Sequence, residues 1–258
     1  MTRYVALGSS FAAGPGIEPV LVPACGRSGR NYAHLVAERL GYDLVDVTSG
    51  GAAVADVLDR PQALLTGSTV PPQLESLAPD ADLVTLTVGG NDVDYLLTLL
   101  RCSYRADPGG APATARAFFG TPVDPAAVDA ALAALPARLA GLIRAVRQRA
   151  PQARVVVVDY LTVVPAGATP AFPMSEEHRV LCAGIGRRLE EVTAAAARDG
   201  GAELVAASTL SRDHAVGSAD PWVTGWEFGD LLAGGVAPYH PSAAGMRAVA
   251  DALVSHLG

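Results

Sequence analysis

A chain of 258 residues, half of them apolar and 17% charged, has ample material for a buried core and is too apolar for a disordered polymer. Its formal net charge of -7 gives no clustered cations of the kind that nucleic acid or an anionic lipid surface requires, so neither is expected as a partner. All 19 basic residues are arginine, scattered without a cluster, which reads as genome bias rather than as a binding patch.

The chain starts Met1-Thr2-Arg3 and turns at once to strand-like Tyr4 to Leu7, leaving no room for the charged and apolar regions of a signal peptide. A cytoplasmic protein is the expectation. No apolar run approaches the roughly 18 residues of a membrane span, so no integral membrane association is expected either. Three cysteines, Cys25, Cys102 and Cys182, are an odd count without CxxC spacing and read as buried or free thiols.

The first strand candidate, Tyr4 to Leu7, is followed by Gly8-Ser9-Ser10-Phe11-Ala12-Ala13-Gly14. A helical stretch, Asn31 to Leu40, leads to a second strand, Leu44 to Val47, followed by Thr48-Ser49-Gly50-Gly51. The third strand, Leu83 to Val88, is followed by Gly89-Gly90-Asn91-Asp92 and then by the helical stretch Val93 to Leu100. Next come a long helix, Pro125 to Ala150, and a strand, Val155 to Val158. The helix Ser175 to Arg198, the strand Leu204 to Ala206 and the helix Ser242 to Leu257 complete the series. Pro125 at a helix start and Ser242 as an N-cap fix two of these boundaries best. Strands such as Val155 to Val158 are apolar throughout rather than alternating, which is what burial on both faces demands. The prediction is therefore a three-layer α/β/α sandwich, flavodoxin-like, with about five parallel strands in the order 2-1-3-4-5, residues 1–258 forming one domain.

Three segments stay unassigned: Cys102 to Asp124, Pro165 to Met174 and Ala207 to Pro241. Unstructured stretches of this length are usually lids or binding loops. Leu96, Leu97, Leu99, Leu100, Phe118 and Phe119 are candidates for an acyl pocket or for ordinary core, with helical spacing favouring core for the leucines.

In an open parallel sheet ligands bind beyond the carboxyl ends of the strands, so the residues after each strand carry the functional argument. They supply hydroxyls at Ser9 and Ser10, a side-chain-free backbone at Gly50 and a carboxamide at Asn91, while Tyr239-His240-Pro241-Ser242 places a histidine just before the last helix. A serine hydroxyl needs an adjacent base, for which neutral imidazole is well matched, and the attacked carbonyl needs preorganised donors for its developing oxyanion. Singly, each block is what an ordinary turn or N-cap looks like. His34, His178, His214 and His256 show no metal-ligand spacing, and GxGxxG and GxxxxGK[ST] are both missing, so no metal and no cofactor are expected.

Taken together and in order, the blocks resemble the SGNH, or GDSL, hydrolase family of esterases and lipases, in particular its actinobacterial branch. The blocks are Gly8-Ser9-Ser10 with Gly14, Ser49-Gly50-Gly51, Gly89-Gly90-Asn91-Asp92, and His240-Pro241-Ser242 with Gly245. The resemblance implies hydrolysis of a small-molecule carboxylic ester, with Ser10 as nucleophile, the Ser10 N–H, Gly50 and Asn91 as oxyanion donors, and His240 as base. The chain departs from the family at two positions: Ser9 stands where Asp is usual, and Ala237 stands three residues before the histidine, where the family's triad Asp is usual. Some relatives orient the histidine by a main-chain carbonyl, which puts that role on Ala237 here, with Asp220 and Asp230 as side-chain substitutes from the same loop. Secreted relatives join a cysteine like Cys25 to one at the position of Thr48, a partner this chain lacks. Acyl transfer to a natural product or carbohydrate, and an inactive binding module, are the competing readings.

Overall fold

The computed structural model describes residues 1–228 and 237–258. Five strands, Arg3–Gly8, Asp43–Asp46, Leu83–Thr87, Arg154–Val158 and Glu203–Val205, form one parallel sheet. Numbered along the chain, they lie in the order 2-1-3-4-5, as predicted. The first strand is therefore internal, hydrogen-bonded on both edges, and its carboxyl end sits between those of the second and third. The third and fourth strands are buried along nearly their whole length, which accounts for their unbroken apolar runs.

The helices are α1 (Ser10–Ala13), α2 (Tyr32–Leu40), α3 (Val54–Leu58), α4 (Tyr95–Ala106), α5 (Arg116–Phe119), α6 (Pro125–Arg149), α7 (Glu176–Gly200), α8 (Ala207–Leu210) and α9 (Ala243–Leu257). Packing pairs α2 with α9 and α6 with α7, which builds the helical layers around the sheet. Four helix starts are closed by their N-cap side chains. Asn31 accepts from the His34 N–H, Ser175 from His178 and Ser242 from Gly245, while Asp124 caps α6 ahead of Pro125. α6 is long and apolar enough to resemble a membrane span by length and composition. Its Val128, Leu132, Leu135, Leu139, Leu142, Ile143 and Val146 are buried at helical spacing, so packing against the rest of the fold accounts for its large apolar side chains.

The departures from the predicted elements fall partly in the segments left unassigned and partly in connections earlier in the chain. α4 continues past Leu100 to Ala106 because Cys102 and Ser103 keep facing the core. α5 and α8 are four-residue helices, and α3 has five residues, all too short to print a periodic pattern. Two small antiparallel ribbons, Val20–Val22 with Arg27–Ser28 and Gln62–Ala63 with Thr69–Val70, have no counterpart among the predicted strands.

Candidate active site

The turn that carries Ser9 and Ser10 forms because the chain reverses at the end of the first strand. Gly8 has φ +147°, and a Cβ there would lie 2.4 Å from the Thr87 carbonyl oxygen, so only glycine lets the two strands run so close. Its peptide is gripped by the side chain of Gln73, whose Oε1 accepts from the Gly8 N–H at 2.8 Å and whose Nε2 donates to the Gly8 carbonyl at 2.9 Å. The Ser9 N–H donates to Thr87 at 2.8 Å, and the Ser49 N–H donates to the Gly8 carbonyl at 3.0 Å. The turn is thus tied to the end of the third strand and to the chain beyond the second.

Ser9 and Ser10 are separated by geometry. The Ser9 hydroxyl is buried and hydrogen-bonded to the Tyr160 hydroxyl at 3.2 Å. Ser10 opens α1, where the first backbone N–H groups have no intrahelical acceptor, and its hydroxyl has no partner among the described residues. One hydroxyl is committed and the other is free.

His240 is buried, its ring 5.7 Å from that of Phe11, the residue after Ser10. Its Nδ1 lies 2.9 Å from the Pro238 carbonyl oxygen. This corrects the expectation for Ala237 by one residue. The Ala237 carbonyl accepts from Thr224 Oγ1 at 3.0 Å and contributes only a second, weaker pull on the imidazole. Burial lowers the histidine's pKa to about 4, against those two carbonyls, so the ring is neutral at pH 7. Among the described residues no carboxylate bonds to the ring. Asp220 is exposed and engaged elsewhere: its backbone carbonyl lies 2.7 Å from His214 Nδ1, and its carboxylate lies 3.4 Å from Trp222 Nε1. Asp230 lies outside the described residues.

The expected oxyanion donors meet differently. The Gly50 N–H is already spent on the Cys25 carbonyl at 2.8 Å. Gly51, exposed and at φ +78°, has an N–H without an acceptor among the described residues. Asn91 donates one Nδ2 hydrogen to the Ala52 carbonyl at 2.9 Å, which holds its amide against the Gly50-Gly51 turn and leaves the second hydrogen unassigned. Asp92 accepts from the Val54 N–H at 2.9 Å, docking the same turn on α3, and desolvation raises its pKa.

Two functional-looking residues carry no signal that the sequence motifs pick out. Gln73 acts 65 residues from its partner and has no local signature. Tyr160 accepts from the Gly90 N–H at 2.8 Å while bonding Ser9, and only its place directly after the fourth strand points to it. Of the proposed acyl-pocket residues, Leu99 and Leu100 are core, whereas Phe119 lines a cavity of about 910 Å³ with Tyr104 and Leu181. Among the described residues no group of three or more His, Cys, Asp or Glu is arranged to hold a metal ion. The three thiols are buried and unbridged.

The family model for GDSL-like lipases and acylhydrolases matches residues 6–248. Lipase 2 of Streptomyces coelicolor is 35% identical over 266 residues, covering 99% of this chain and 85% of that protein. The solved extracellular lipase of Streptomyces rimosus superposes with a TM-score of 0.77 at 28% identity, covering 99% of both chains. Phospholipase A1 of Streptomyces albidoflavus superposes with a TM-score of 0.78 at 27% identity, covering 98% of both. An extracellular lipase stands among these relatives, so residence in the cytoplasm does not follow from the resemblance.

Proposed function

Because this chain belongs to the GDSL-like lipase/acylhydrolase family and is a carboxylic ester hydrolase of that type, we propose that it works through a Ser10 acyl-enzyme with His240 as the base. Neutral His240 takes the Ser10 proton through Nε2 as the hydroxyl oxygen attacks the ester carbonyl, while the Pro238 carbonyl holds the Nδ1 hydrogen and with it the tautomer. The tetrahedral oxyanion is met by the N–H groups of Ser10 and Gly51 and by the free Nδ2 hydrogen of Asn91. Gly51 takes the role because the Gly50 N–H is already bonded. Protonated His240 then gives its proton to the departing alkoxide. Water, deprotonated by the same imidazole, releases the acid and restores Ser10.

The observation that carries this reading is the division of labour at the nucleophile turn: Ser9 is bonded to Tyr160, and Ser10, at the start of α1, is not. Its test is direct. Ser10→Ala should abolish p-nitrophenyl butyrate hydrolysis and labelling by a fluorophosphonate, whereas Ser9→Ala should keep much of both. Labelling that persists in Ser10→Ala would move the nucleophile elsewhere.

A further inference from the structure

We infer that Tyr160 is a positioning residue: its buried hydroxyl sets the spacing between the turn that carries Ser10 and the turn that carries Asn91. The inference rests on the Ser10 acyl-enzyme reading above. One oxygen atom serves two turns. It accepts the Gly90 N–H at 2.8 Å, one residue before Asn91, and it shares a hydrogen bond with Ser9 Oγ at 3.2 Å, one residue before Ser10. The ring is as close to the second turn as a residue without a side chain allows, since a Cβ on Gly90 would lie 2.8–2.9 Å from the Tyr160 ring and hydroxyl. The same ring packs on Phe11 at 4.7 Å, and Phe11 in turn packs on His240 at 5.7 Å. Nucleophile, oxyanion donor and base are therefore each one residue or one ring away from a single side chain.

The chemistry of that side chain suits the task. Burial raises the pKa of Tyr160 to about 12, so the hydroxyl stays protonated at neutral pH and acts as donor and acceptor together. It also accounts for Ser9. In the slot where the family usually has an aspartate, a short neutral hydroxyl meets a neutral phenol, and no charge is left in a site from which water is largely excluded.

Oxyanion stabilisation depends on donors fixed where the charge develops, and one such donor is worth about 10²–10³ in rate. Loosening the turn that holds Asn91 forfeits part of this. Tyr160→Phe keeps the ring and deletes the oxygen, orphaning the Gly90 N–H. The matched control is Tyr4→Phe, which deletes another buried phenol, bonded to Thr85 Oγ1 at 2.8 Å, on a residue whose hydroxyl bonds none of the three site turns. With p-nitrophenyl butyrate, Tyr160→Phe should lower kcat by roughly ten- to a hundredfold, with KM changed less than about twofold. Tyr4→Phe should leave kcat within about twofold while lowering Tm as much as Tyr160→Phe does. In an Asn91→Ala background the further loss from Tyr160→Phe should shrink to a few-fold, because the donor it positions is gone. Equal kcat in the two Phe variants, or full additivity with Asn91→Ala, overturns the inference. Fluorophosphonate labelling of Ser10 in all these variants shows separately that the acyl-enzyme reading stands.

Discussion

His240 Nδ1 lies against the Pro238 backbone carbonyl, and for the proposed base the kinetic consequence is resistance to protonation. A carboxylate at Nδ1 would raise its pKa; here burial lowers it to about 4 instead. The base must be neutral to act, so kcat/KM should stay high as the pH falls through the ordinary histidine range and drop only with a midpoint near 4. Initial rates at sub-KM substrate between pH 3.5 and 8, on enzyme shown to stay folded, measure this; a midpoint near 6.5 would contradict the carbonyl arrangement. Asp220→Asn should leave that limb in place, since its carboxylate faces Trp222. The sequence made His240 and the missing family aspartate legible, but not which carbonyl replaces it. A backbone acceptor has no residue type, and the choice between Ala237 and Pro238 turns on the left-handed Tyr239, at φ 63°. The same blindness separates Gly50 from Gly51: identical in residue type, they differ in backbone conformation, in exposure and in whether the N–H is used.

At the level of elements, the first strand ends in a peptide gripped by a side chain as well as by its neighbours. The Gln73 carboxamide presents a donor and an acceptor in the arrangement of a backbone amide and bonds both polar groups of Gly8. Gln73→Leu would leave the buried Gly8 N–H without an acceptor, at a cost of about 1–3 kcal/mol. A chemical denaturation series should find that loss of stability, and hydrolysis should fall with it because Ser10 is two residues on. The elements themselves were readable wherever burial wrote a period into the chain. The unbroken apolar run Val155 to Val158 marks the fourth strand, and that strand, α6 and α7 all stand within two residues of their predicted limits. α3, α5 and the small ribbons were unreadable because their hydrogen bonds are local and their apolar faces span a single turn or pair.

Over the whole molecule, two buried ionisable groups oppose each other in acid. Unfolded His240 takes up a proton near pH 6.5 and the folded one only near 4, so between these values falling pH favours unfolding. Asp159, bonded to the Ser208 N–H at 2.8 Å and its hydroxyl at 2.6 Å, is raised by burial to about 6. Its folded form therefore protonates before the unfolded one, and falling pH from about 6 to about 4 favours folding. Asp159→Asn removes this offset, so its Tm should decline more steeply than that of the wild type between pH 6.5 and 4.5 in thermal scans. The layered sheet was legible because each strand's apolar run and each intervening helix call for cover on both faces, although that cover alone does not choose the order 2-1-3-4-5 among doubly wound sheets. The order of residues along the chain also bears on when the proposed site can assemble. Ser10 is made 230 residues before His240, and the first strand has no third-strand neighbour until Leu83 to Thr87 have been synthesised. As the proposed nucleophile and base, the two cannot meet until every residue between them has been translated, and until then the growing chain has no hydrolytic activity.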